Sequence, residues 1–199
     1  MPPGQYWHNG IAKNLITIFE DSPEQEIKLS FNVDGLPLAH SSGSQLWPIL
    51  CSVKGSNIVF AAGIYHGYAK PESEALYLQD VVAEITSLIE NGLQIGGKHF
   101  KVSLCCCSCD APAKAFVLCL LGCNGKHGCC KRTVTGKVFS HRVSYVQVEG
   151  LQLRTDKSFR LQLQPEHHLG VSSLLSIPGF KPVSHTVLDP MHLCFFWEP

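Results

Sequence analysis

Residues 27–34 read IKLSFNVD, and this stretch limits the fold more tightly than any other. Ile27, Leu29, Phe31 and Val33 fall on one side of an extended chain, and Lys28, Ser30, Asn32 and Asp34 fall on the other. A period of two over eight residues fits a strand with one buried face and not a helix. Such a strand needs hydrogen-bonded neighbours and a layer over its apolar side.

The following sequence supplies both. QLWPILCSV (45–53) and NIVFAAGIY (57–65) read as two more strands separated by the turn signal KGSN, which makes an antiparallel set of three. Pro48 predicts that the first of them is an edge strand or is bulged. In SEALYLQDVVAEITSLIENG, Tyr77, Val81, Ile85 and Leu88 form an apolar stripe at helical spacing, with Ser73 as N-cap and Asn91-Gly92 as the stop. HFKVSLCCCSC (99–109) reads as a buried strand, and APAKAFVLCLLG as a helix that begins directly behind Asp110. Upstream, Ile11, Leu15, Ile18 and Phe19 predict a short helix.

The expected architecture is α/β of the α+β, mixed-sheet kind: three antiparallel strands, helix, parallel strand, helix, then an irregular extension containing Cys and His. The expected boundaries are a helical lead-in over 1–25, a core over 26–122 and the extension over 123–199. A chain of 199 residues suits one such domain.

Sixteen basic residues balance sixteen acidic ones, so the chain shows no strong positive field of the kind that marks nucleic-acid binding. No apolar run is long enough to cross a bilayer, which predicts no membrane association. MPPGQYWHNG lacks the basic start and apolar core of a secretory signal, and the cysteines of CCCSC lie within an apolar run. Both point to an intracellular protein with reduced thiols. No GxxxxGK[ST], GxGxxG or GxSxG occurs, so phosphate-loop and nucleophile-elbow chemistry has no support.

Two acids close predicted strands. Asp34-Gly35 reads either as a hairpin turn or as a ligand position, and Asp110, before Ala111-Pro112, reads either as a helix cap or as a ligand position. If their strands are parallel neighbours, both carboxylates fall at one edge of the sheet. Hard oxygen ligands there suit Mg²⁺ or Mn²⁺, and paired ions of this kind act in phosphodiester chemistry.

FNVDGLPL, SSGSQLWPILCSV, YHGYAKPESEALYLQDVVAEI, CDAPAKAF, LRTDKSFR and LDPMHL together resemble the core of DDE-type transposases of the CACTA-like (Mirage/Chapaev-related) kind, over nearly the whole chain. The resemblance implies an RNase H-like fold and metal-dependent DNA cleavage and joining. It implies Asp34 and Asp110 as the first two catalytic acids, DNA as partner and the nucleus as location. It also lifts Asp156, Asp189 and His192 above ordinary loop residues.

The sequence departs from that pattern in several places. Where the family has a G-C-x-x-C pair, GCCKRT supplies Cys129 but has Arg132 at the second position, so a Zn²⁺ site with Cys129 and His192 as ligands is incomplete. Cys123, His127, Cys129, Cys130 and His141 form a soft-ligand set without usual finger spacing. His167, His168 and His185 read as loop histidines. The family's final glutamate falls beyond LDPMHL, whereas only Glu198 follows His192 here. The expectation is a fragment or decayed copy, prone to self-association. The alternatives are a noncatalytic scaffold with the same fold, for protein or nucleic-acid interaction, and a small Cys-organised metal module.

Overall fold

The alternation of residues 27–33 becomes a central strand because the chain supplies a partner on each side of it. In the computed structural model of the chain, the described residues are 1–20, 25–39, 41–147 and 149–188. Among them the order is β1 (Gln5–His8), α1 (Ala12–Phe19), β2 (Glu26–Val33), β3 (Leu36–Pro37), β4 (Gln45–Val53), β5 (Val59–Gly67), α2 (Glu74–Asn91), β6 (Leu93–Ile95) and β7 (Lys98–Cys109). Then come α3 (Ala111–Val117), the hairpin β8 (Lys137–Phe139) and β9 (Arg142–Ser144), α4 (Asp156–Arg160) and β10 (Thr186–Leu188). One mixed sheet runs β1-β5-β4-β2-β7-β10, with β3 on β4 and β6 on β7.

The three antiparallel strands are β2, β4 and β5. The helix that follows is α2, and β7 lies beside β2 and parallel to it. Two pairings are not readable from local pattern. β1, in the N-terminal segment, joins the sheet antiparallel to β5, and β10, in the extension, joins it parallel to β7. Both are strands of three or four residues, too short for a periodic signal, and pairing alone defines them.

Ile27, Leu29, Phe31 and Val33 are buried as the alternation requires, and they share one core with Leu15 and Phe19 of α1 and Tyr77, Val81, Ile85 and Leu88 of α2. Phe19 meets Phe100 edge to face at 5.7 Å, and the Tyr77 hydroxyl donates to the Trp47 carbonyl at 3.1 Å. β7 keeps its apolar parity through Leu104 and then changes it. Leu29 pairs with Leu104 but Ser30 pairs with Cys106, so Cys105 is an extra residue, and Cys107 and Cys109 become the buried ones. Every described cysteine is free. No helix among the described residues is long and apolar enough to cross a membrane.

Three sequence expectations need correction or refinement. Asp34-Gly35 is not a hairpin turn. β3 continues to pair with β4 where β2 leaves off, Val33↔Ile49 and then Leu36↔Leu46, so the chain runs straight on. Glycine is required at 35 because the Trp47 ring would lie 2.8 Å from a Cβ there. β4 is an interior strand with a register shift between Ile49 and Leu50, and Pro48 is tolerated because it falls between the partners of β2 and β3 and needs no donor on that side. The helix behind Asp110 ends at Val117 rather than near Gly122, since Cys119 takes a positive φ of 52°.

α1 has no N-cap side chain of its own. Its first donors are met from α2 instead: the Glu84 carboxylate accepts from Ile11 N at 2.7 Å and Ala12 N at 2.9 Å, and also bonds the His8 ring at 3.0 Å. Glu84→Ala is expected to cost about 1–2 kcal/mol, as loss of a cap does, with Glu84→Gln recovering part of it. Urea midpoints of the three proteins check this.

Candidate functional site

The two acids singled out in the sequence come from neighbouring parallel strands. Val33, the last residue of β2, is the register partner of Cys109, the last residue of β7. Asp34 and Asp110 are therefore the next residues on both strands at one edge of the sheet. Both are partly exposed. Pairing between β2 and β7 stops at this level, while the chain continues from Asp34 into β3 and from Asp110 into α3.

Asp110 is also the N-cap of α3. Its Oδ1 accepts from Ala113 N at 2.6 Å, and Pro112 occupies the first turn. The capping bond fixes the carboxylate by one oxygen, which leaves the helix cap and the ligand reading compatible. Phe116 of α3 and Trp47 of β4 pack edge to face at 5.5 Å, and the Lys70 ammonium stands 5.6 Å over the Phe116 ring. Carboxylates are the donor type that Mg²⁺ or Mn²⁺ takes from protein, waters and substrate oxygens completing its shell.

The soft ligands do not assemble. Among the described residues no group of three or more His, Cys, Asp or Glu side chains is placed to hold a metal ion. Cys123, Cys129 and Cys130 line one cavity beside α3, whereas His141 is exposed in the β8–β9 turn. His127 is engaged elsewhere: its Nδ1 accepts from Gln164 Nε2 at 3.0 Å, and its carbonyl accepts from His167 Nδ1 at 2.6 Å. Asp189 and His192 lie outside the described residues.

The remaining candidates have structural work. Asp156 holds the turn that leads into β10, accepting from Val183 N, Ser184 N and the Ser184 hydroxyl at 2.6–3.0 Å. His185 Nδ1 accepts from Lys181 N at 3.2 Å. His168 packs edge-on against Phe159 at 4.7 Å. His167 is fully buried, with its Nε2 unpartnered.

Sequence reading missed three buried charged side chains. Lys114 of α3, with 4% exposure, donates from Nζ to the Thr186 carbonyl of β10 at 3.1 Å. Arg154, with 6% exposure, donates from Nε to the Cys129 carbonyl at 3.0 Å and also bonds Gln164. Glu74, the first residue of α2, accepts from Ser173 N, the Ser173 hydroxyl and the Ser172 hydroxyl, which straps residues 172–173 to the helix. Burial raises the Glu74 carboxyl above its ordinary range against these donors. In the sequence, Lys114 reads as an exposed helix residue four positions from Asp110; only the contact with β10 reveals its burial.

No protein-family model, curated protein or solved structure matches the chain. The reading of the site therefore rests on its own geometry and on the motifs.

Burial pushes the His167 imidazole down to about 4. Its folded pKa lies below its unfolded one, so the unfolded state binds more protons between them, and stability falls as pH drops from about 6.5 to about 4. The loss is expected to be on the order of 3 kcal/mol. Urea unfolding of wild type and His167→Gln across this range checks it: the variant should lose most of the acid-side slope.

Proposed function

We propose that the chain is the catalytic core of a DDE-type transposase of the CACTA-like (Mirage/Chapaev-related) kind, on an RNase H-like fold. The observation that carries this reading is the register Val33↔Cys109 between parallel neighbours, which puts Asp34 and Asp110 at successive positions on one sheet edge. Support for the fold comes from the strand order β5-β4-β2-β7-β10, in which the first three are antiparallel and β7 and β10 run parallel to β2, with α2 leading to β7 and α3 following it.

In this reading Asp34 and Asp110 hold Mg²⁺ or Mn²⁺ against the DNA backbone. When bound, the ion polarises a phosphodiester oxygen and lowers the pKa of a bound water or hydroxyl. The chain itself holds the Asp110 carboxylate by its cap on α3, and carries the Asp34 backbone straight on into the pairing of β3 with β4. The formal net charge of zero gives little long-range attraction to DNA, so target binding falls to regions or partners beyond this core.

Mn²⁺ calorimetry on the wild type, Asp34→Asn and Asp110→Asn tests the proposal. Asparagine is chosen because it also caps helices, so Asp110→Asn keeps α3. The expected outcome is binding that either substitution weakens roughly tenfold or more. Asp189→Asn, tested in parallel, reports whether the acid that follows β10 in sequence shares the ion. Folded wild-type protein that binds no Mn²⁺ would leave the noncatalytic scaffold as the better reading.

A further inference from the structure

Beside α3, on the side of the extension, a cavity of about 180 Å³ opens between the helix and the cysteine-rich loop. Its lining includes Ala111 and Ala115 of α3, Leu121, Cys130, Tyr145 and Lys114. The Tyr145 hydroxyl is already committed, donating to the Gly125 carbonyl at 2.6 Å, so the ring rather than the hydroxyl is what this residue has left to offer. The exposed surface of the cavity is almost wholly apolar.

Lys114 does not fit such a wall unless something answers its charge. It is buried, and among the described residues it has one hydrogen-bond acceptor, the Thr186 carbonyl, and no carboxylate within ion-pair distance. An ammonium has three donors, and removing it from water is costly unless it is paired. Burial lowers the Lys114 pKa. Arg154, also buried without a carboxylate, bonds the carbonyl of Cys129 in the same wall. The region therefore holds two buried cations beside an apolar cavity, with no acid opposite either of them among the described residues.

We propose that this cavity binds a small carboxylate with an apolar body, its carboxyl group on the Lys114 ammonium and its hydrocarbon part against Ala111, Ala115 and Leu121. The size suits a ligand of this class, since an apolar cavity of about 150 Å³ accepts benzene. A monoanion suits the site better than a phosphate, because a dianion would need several more donors than the wall presents. This proposal is independent of the metal reading of Asp34 and Asp110.

The test uses sodium benzoate as the probe and benzyl alcohol as its uncharged counterpart, titrated into the ¹⁵N-labelled chain. Benzoate is expected to bind with a dissociation constant on the order of 1 mM and to shift the amides of Ala111, Leu121 and Tyr145. Benzyl alcohol and the Lys114→Met variant are expected to give binding roughly tenfold or more weaker, as loss of a charge-assisted hydrogen bond does. Ala115→Leu, which leaves the ammonium in place and fills the cavity, should also lose benzoate, and it carries the test if Lys114→Met does not fold. Equal binding of the alcohol, benzoate binding retained in Lys114→Met or in Ala115→Leu, or no binding of benzoate by the wild type would each overturn the proposal.

Discussion

Parallel pairing between β2 and β7 brings together residues 76 positions apart, and the Asn32 side-chain amide adds a bond to the carbonyl of its register partner Ser108. Parallel neighbours cannot be joined by a tight turn, so the chain must leave β2, complete β4 and β5, and return through α2 before β7 can form. The loop-closure cost of that excursion is recovered only when the apolar sides of β2, β7 and α2 close on one another. β10 depends on the same pairing, because its parallel edge is the far side of β7. So does α3, whose cap residue is the first one beyond the end of β7.

The extension adds directional bonds to its share of the core. Phe159, Leu174, Ile177 and Phe180 join the apolar cluster, while Lys114 of α3 donates to the carbonyl of Thr186, Glu74 of α2 accepts from Ser172 and Ser173, and within the extension Arg154 and His167 donate to the carbonyls of Cys129 and His127. Each bond ties together segments remote in sequence, and each is directional. An apolar interface tolerates sliding, whereas a buried cation with one acceptor does not. This accounts for a region with short strands and few helices taking a defined path over the core.

What could be read from the sequence divides along this line. β2, β4, β7 and α2 were legible because their burial is written as local periodicity, and Ser73 and Asn91-Gly92 bounded α2 through capping chemistry that acts within a few residues. The acids Asp34 and Asp110 were legible as strand-end residues, but their being level with each other was not, since register is a property of two strands. β1 and β10 had no periodic signal to carry. Lys114 was hidden by its position four residues after Asp110, which suggests an exposed helical ion pair, whereas its ammonium reaches a strand some seventy residues later. The Asp-Gly pair was misleading in a simpler way: its turn preference is real, yet here the glycine makes room for Trp47.

The extra residue at Cys105 sets the phase of everything after it. Were β7 to pair with β2 without the bulge, all its residues kept, Phe31 would face Cys106 and Val33 would face Ser108. The hydroxyl-bearing side of the strand would turn inward, and Asp110 would fall one step, about 3.3 Å, past Asp34 rather than beside it. The bulge therefore absorbs one residue of length, and a single-residue deletion at Cys105 would remove it while leaving Leu104 opposite Leu29 and Cys106 opposite Ser30. A residue added downstream of the bulge, between Cys107 and Cys109, would have no such slack to enter, and the acid at the strand's end would be carried one step out of line.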